Sequence, residues 1–295
     1  MGQKDIAEKT LEAYNDVFAD IVNVLIFNGK RTVKEKDLED ETPRSCIKID
    51  GKLHEQERDV AKFWNNNNIR IALYGLENQT KPDSDMSLRI CSYDGAAYKE
   101  QLLNDERKER YPVVTLVLYF GTKHWNQPRT LHERLIIPEE LKPFVSDHKA
   151  NIFEISFLTD EQVNLFKSDF KIVADYFVQL RTKKDYVPPN HVIKHVTEVL
   201  RLLRILTGDE RFTPDTKLIT KKGKPVTMCE VLDRIENRGI EKGIEKGIEK
   251  GIEKGKVLTL AELVKKGLLT IQQAAKEMNV TVAKFKALTK ELATN

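Results

Sequence analysis

The segment IRIALYGLENQT, Ile69 to Thr80, is an apolar run that ends in a carboxylate and an amide two residues apart. Alternation along an extended strand puts Glu77 and Gln79 on one face and Asn78 on the other. Four asparagines, Asn65 to Asn68, precede the run and mark a turn, so it reads as the second arm of an antiparallel hairpin. The stretch before that turn, SCIKIDGKLHEQERDVAKFW (45–64), carries a hairpin signal at Asp50-Gly51 between two candidate strands. The second of these strands carries Asp59, so Asp59 and Glu77 are expected on neighbouring strands.

Working outward, residues 10–27 (TLEAYNDVFADIVNVLIF) place Val17, Phe18, Ile21, Val22 and Leu25 at helical spacing, with Asp16, Asp20 and Asn23 on the opposite side. The segment 28–45 reads as a polar connector. After the quoted strand, 86–103 (MSLRICSYDGAAYKEQLL) reads as a helix despite Gly95. Residues 111–121 (YPVVTLVLYFG) have the β-branched and aromatic content of a central strand. The predicted order is helix, three strands, helix, strand. A further strand is expected at 151–158, then helices over 159–181 and 189–208, the first opened by the capping-box pair Thr159 and Gln162.

The chain changes character at RGIEKGIEKGIEKGIEKGK (238–256), a four-residue repeat. On a helix of 3.6 residues per turn each repeat drifts by about 40°, so the glycines and the isoleucines wind as separate stripes. Each interior glycine costs roughly 1 kcal/mol against alanine, so the repeat is either a helix that needs a partner or a spacer. The last residues read as a helix, a short helix TIQQAAKEM, a break at Asn279-Val280 and a final helix from Thr281, a pattern compatible with a helix-turn-helix or any helical hairpin.

Composition narrows the function classes. Of 295 residues, 40% are hydrophobic, enough for a packed core, and 32% are charged. Forty-nine Lys and Arg against 46 Asp and Glu give a net charge of +3, so any polyanion must be held by a local basic patch. Cys46, Cys91 and Cys229 are scattered and odd in number, which excludes a disulfide framework and a CxxC metal site and suits a reducing cytoplasm. No run has the roughly 18 apolar residues of a membrane helix, and the charged start lacks a signal peptide's apolar centre. A cytoplasmic protein without membrane partners is expected.

The chemistry-bearing constellation is Asp59, Glu77 and Gln79, two carboxylates and an amide where two strands meet. Hard cations such as Mg²⁺ take oxygen ligands and are commonly held by one or two carboxylates plus substrate phosphate and water, which points to phosphodiester chemistry. The bland alternative pairs Asp59 with Arg58 or Arg70 and leaves Glu77 and Gln79 as polar strand-end residues. His191 and His195 share the i, i+4 spacing of a zinc pair, but lack the intervening Glu of a zincin and a third ligand. Lys62 falls on the opposite strand face from Asp59 by parity.

The segments ERDVAKFW, ALYGLENQT and MSLRICSYDGAAY resemble the Rpn family of recombination-promoting nucleases and transposases, within the PD-(D/E)xK nuclease superfamily, over about residues 10 to 230. The resemblance implies an α/β fold with a restriction-endonuclease-like core, a mixed sheet flanked by helices, followed by an all-α C-terminal extension. It implies a DNA endonuclease using Mg²⁺ or Mn²⁺ held by Asp59, Glu77 and the backbone carbonyl of Asn78, with catalytic residues Asp59, Glu77 and Gln79. Gln79 stands where the superfamily has lysine, a form that the Rpn-like proteins share. An amide can hold a water or phosphate oxygen but brings no charge. The resemblance also makes Asp16 or Asp20 of the first helix a candidate for a further acid, against the bland reading of a solvated helix face.

Arg89, Lys276, Lys284 and Lys286 are candidate DNA contacts. The expected partners are DNA and further copies of the chain through the repeat or tail. The expected divisions are a nuclease-like core over 1–160, a helical extension over 161–236, the repeat over 237–256 and a small helical tail over 257–295. The competing function is a DNA-binding or oligomeric interaction protein that keeps the nuclease fold without cleavage.

Overall fold

The computed structural model describes residues 11–41, 44–49, 52–57, 60–65, 69–75, 82–103, 110–182, 186–214 and 226–293. The chain forms two compact units, Met1–Val231 and Leu232–Asn295. The first is a mixed α/β unit and the second is helical.

The first unit is built on a sheet in which strands β1 (Leu38–Glu41), β4 (Val60–Trp64), β5 (Ile69–Gly75), β6 (Val113–Tyr119) and β7 (Asn151–Glu154) lie side by side in that order. β1, β4 and β5 are antiparallel neighbours, whereas β5, β6 and β7 run parallel. The step from hairpin to parallel pairing requires a crossover, supplied by α2 (Met86–Leu103) between β5 and β6. β6 lies inside the sheet between β5 and β7, as its composition predicts, with Leu116, Val117 and Leu118 fully buried.

Register fixes the two faces, because directly paired residues point the same way. Lys62 of β4 lies on the face that meets α1 (Asn15–Leu25), whose Phe18 ring lies 5.7 Å from the Lys62 ammonium. The other face carries Val117 and Tyr119, which pack with Met86, Ile90 and Tyr93 of α2, Trp125 and Ala150. The sheet is therefore flanked by helices on both sides.

Several expectations change, among them a shorter strand at Asn151–Glu154, two helices in place of one over 159–181, and a helix that starts at Val196 rather than 189. The connector before residue 45 contains β1, a strand in its own right on the edge of the sheet. Its charged LEDE sequence suits an edge, where charge discourages pairing with another chain. The expected long strand through Asp59 is two strands: β3 (Lys52–Glu57), paired with β2 (Arg44–Ile49) in a separate hairpin, and β4 in the main sheet. Asn23, expected on the polar side of α1, is buried because its amide fastens the following loop: Nδ2 donates to the Val33 carbonyl at 2.8 Å, and Oδ1 accepts from the amides of Thr32 and Val33.

After β7 come α3 (Asp160–Leu165), α4 (Phe170–Thr182) and α5 (Val196–Thr207). The expected capping box forms, Thr159 Oγ1 accepting from the Gln162 amide at 3.2 Å and Gln162 Oε1 from the Thr159 amide at 2.9 Å. Gly208 closes α5 at φ 72°, a left-handed cap that glycine adopts without steric cost. The short strands β8 (Val192–Ile193) and β9 (Val226–Thr227) pair antiparallel.

In the second unit the repeat is helical, as part of α6 (Met228–Lys265). Ile240, Ile244, Ile248 and Ile252 are each 54 to 58% exposed along it. Gly267, at φ 73°, turns the chain into α7 (Ile271–Glu277), capped by Thr270 and Gln273. Asn279, at φ 54°, then leads to α8 (Val282–Ala293), as the break in the sequence predicts. Val257, Ala274, Ala275 and Phe285 form the shared core of the three helices.

Candidate functional site

Asp59, Glu77, Asn78 and Gln79 lie outside the described residues. The strands that flank them are described, and their register is informative. Val60 pairs with Leu73, so the start of β4 and the end of β5 leave the sheet at one edge. β6 and β7 run parallel to β5, and their carboxyl ends reach that edge too. In open α/β sheets, ligands bind outside the carboxyl ends of parallel strands.

Among the described residues no group of three His, Cys, Asp or Glu side chains could hold a metal ion. The donor set drawn from the sequence, two carboxylates and a carbonyl, is all oxygen and fits Mg²⁺ or Mn²⁺ chemically. Lys62, the nearest described cation to Asp59 in sequence, is wholly buried and donates from Nζ to the Asp40 carboxylate across the β1–β4 pair. It is engaged in holding the sheet edge.

The acids of α1 are engaged elsewhere. Asp16 accepts from Lys194 Nζ at 3.2 Å and meets His195 Nε2 at 3.3 Å. Burial pushes its carboxyl up, but the hydrogen bonds and charges of Lys194 and His195 outweigh this and hold it below the usual carboxylate range. The His195 ring stacks on Tyr14, centroids 3.7 Å apart. Asp20 accepts from the backbone amides of Lys167 and Ser168, both at 2.7 Å. Both acids join α1 to the α3–α5 region. His191 and His195 share no helix, since α5 starts at Val196, and they meet different carboxylates, Asp169 and Asp16.

At the carboxyl edge, β7 ends in Glu154, which lies opposite Tyr119. Its carboxylate accepts from His124 Nδ1 at 2.9 Å, from the Trp125 amide at 3.1 Å and from Arg129 at 2.5 Å. Burial raises its proton affinity, yet those three donors outweigh burial and keep the carboxyl below its ordinary range. The His124 ring stacks on Phe157, centroids 3.7 Å apart, while its side chain stays 73% exposed. Gly121 is required in this turn because a Cβ there would overlap the Tyr119 ring and hydroxyl. Sequence reasoning passed over these residues, although GTKHW (121–125) follows β6, where a site is expected in such a sheet.

Of the candidate DNA contacts, Arg89 pairs with Asp83 at 2.8 Å. Lys276 and Lys284 line an open recess of about 610 Å³ between α7 and α8, with Gln272, Asn279 and Thr281. Lys286 is exposed on α8.

Comparison with known families decides the affiliation: the family described as "Putative transposase, YhgA-like" matches residues 30–205. The chain belongs to the YhgA-like transposase family. The match spans β1 to most of α5 and thus takes in the whole main sheet of this transposase-family unit. No curated protein and no solved structure matches the chain. Membership ties the chain to transposition, and the second unit lies beyond the family match. No described helix is long and apolar enough to cross a membrane.

Proposed function

We propose that the chain is a metal-dependent DNA endonuclease with a PD-(D/E)xK core that acts in transposition or recombination. The observation that carries the reading is the pairing of Val60 with Leu73 in the β4–β5 hairpin, followed by the α2 crossover into parallel β6. Asp59 directly precedes β4, and Glu77 follows two residues after β5, so both acids belong to chain leaving the same edge of the sheet. Asp59, Glu77 and the Asn78 carbonyl would hold Mg²⁺ or Mn²⁺, which when bound acidifies a water and polarises the scissile phosphate. Gln79 orients a water or phosphate oxygen through its amide and supplies no charge, so cleavage is slow or regulated.

Gln79 also favours a second reading, a DNA-binding member of the family that keeps the fold without cleavage. Conversion of supercoiled plasmid by the purified full chain with Mg²⁺, compared with Gln79→Lys, separates them. The nuclease reading expects cleavage by the wild type and faster cleavage by Gln79→Lys. DNA binding without cleavage by either protein supports the second reading.

The exposed isoleucines of α6 support self-association. They form an i, i+4 ridge beside a row of glycines, a surface suited to ridge-into-groove packing against a second copy. Ile244→Lys combined with Ile248→Lys is expected to lower the mass measured by sedimentation.

A further inference from the structure

We propose that His124, presented by Glu154, binds a backbone phosphate of DNA at the carboxyl edge of the parallel strands. The inference rests on the DNA-acting reading above and adds a contact residue to it.

The tautomer follows from the partner. Glu154 is held ionised and can only accept, so the proton of the neutral imidazole sits on Nδ1, 2.9 Å from Glu154 Oε2. Nε2 is then the free nitrogen, bonded by none of the described residues. Stacking on Phe157 and the bond to Glu154 fix the ring in two directions, yet the side chain is 73% exposed. A histidine that served only to buttress Glu154 would have no need to present its second nitrogen to solvent in a fixed orientation.

The surrounding charge selects an anion. Beside His124 are Glu154 from β7 with its partner Arg129, and Arg181 of α4, whose guanidinium lies 4.5 Å from the Phe157 ring on which His124 stacks; Lys123, the preceding residue, is exposed. The one carboxylate is already paired with Arg129, and protonation at Nε2 adds a positive charge with its donor aimed outward. An oriented, charge-assisted N–H among cations matches a phosphodiester oxygen. The position also suits it, because β5, whose chain continues towards Glu77, ends at this same edge.

The test is binding of a fluorescein-labelled duplex by the full chain in EDTA, which suspends cleavage, across pH and salt. The wild type is expected to bind more tightly from pH 8 to pH 6. His124→Gln should lose that rise, bind about fivefold more weakly at pH 6, and show a salt slope smaller by about 0.9. His124→Gln binding with wild-type affinity, slope and pH profile overturns the proposal, as does a wild type that binds no DNA. If the wild type binds as expected but cuts no plasmid with Mg²⁺, the nuclease reading fails and the phosphate site stands. If it cuts while His124→Gln binds like wild type, the phosphate site fails and the nuclease reading stands.

Discussion

Lys62 and Asp40 face each other across the β1–β4 pair, the lysine wholly buried beneath Phe18 and the aspartate 85% exposed. The lysine stem fills space under α1 while its ammonium reaches the sheet edge, where the carboxylate meets water. This pair fastens the edge strand to the hairpin that leads to Asp59.

Removing one partner should cost more than replacing the buried one by an apolar residue. Asp40→Ala leaves the Lys62 ammonium without its carboxylate and is expected to destabilise by about 1–3 kcal/mol, water at the exposed edge limiting the loss. Lys62→Met is expected within about 1 kcal/mol of wild type. Urea denaturation of the two variants decides, and a larger loss for Lys62→Met would show that the charge itself holds the edge.

Asp16 joins α1 to Lys194 and His195, and its folded proton affinity is depressed. A depressed carboxyl contributes stability that is fully present above its unfolded pKa of about 4 and is lost as pH falls through the folded value. Asp16→Asn should therefore lower Tm at neutral pH, with the difference from wild type shrinking below about pH 4. Thermal melts across pH 2.5 to 7 check this, and a difference that grows on acidification would be the wrong sign.

Gly121 and Tyr119 make a paired test of the turn at the carboxyl edge. Gly121→Ala forces the buried Tyr119 ring to shift and is expected to cost about 1–3 kcal/mol. The Tyr119 hydroxyl is buried without a hydrogen-bond partner among the described residues, so Tyr119→Phe should be neutral or stabilising. Calorimetry on both proteins would show a lost hydrogen bond instead if Tyr119→Phe were clearly destabilised.

In the second unit, Phe285 is buried among Val257, Ala274 and Ala275. Phe285→Ala should cost about 3–5 kcal/mol within that small core and expose α7 and α8 to protease. Limited proteolysis that leaves residues beyond 266 as resistant as in the wild type would contradict this packing.

The legible parts of the sequence were those written in periodicity or caps. β5 and β6 showed as apolar runs, the Thr159 box set the start of α3, and Asn279 marked the turn before α8. β1 escaped because an edge strand buries little: Leu38 is in the core while Glu39 and Asp40 are exposed, and charge at an edge looks like a loop. Asn23 and Lys62 escaped because residue type argued against burial, and only a tertiary partner, the 32–33 backbone or Asp40, makes burial tolerable. His124 and Glu154 are 30 residues apart, and nothing local couples them before β6 and β7 align. At the candidate metal site, the register of β4 and β5 supports a shared edge, and the acids themselves lie outside the described residues.

In the proposed nuclease, Asp59 and Glu77 together hold one metal ion for DNA cleavage. The most direct test is single-turnover cleavage of an end-labelled duplex with Mg²⁺ by the wild type, Asp59→Asn and Glu77→Gln, each shown to be folded by its melt. The expected result is cleavage by the wild type that stops on chelation and falls by at least about a hundredfold in both variants. Cleavage undiminished in either variant, or none by a wild type that still binds the duplex, would contradict it.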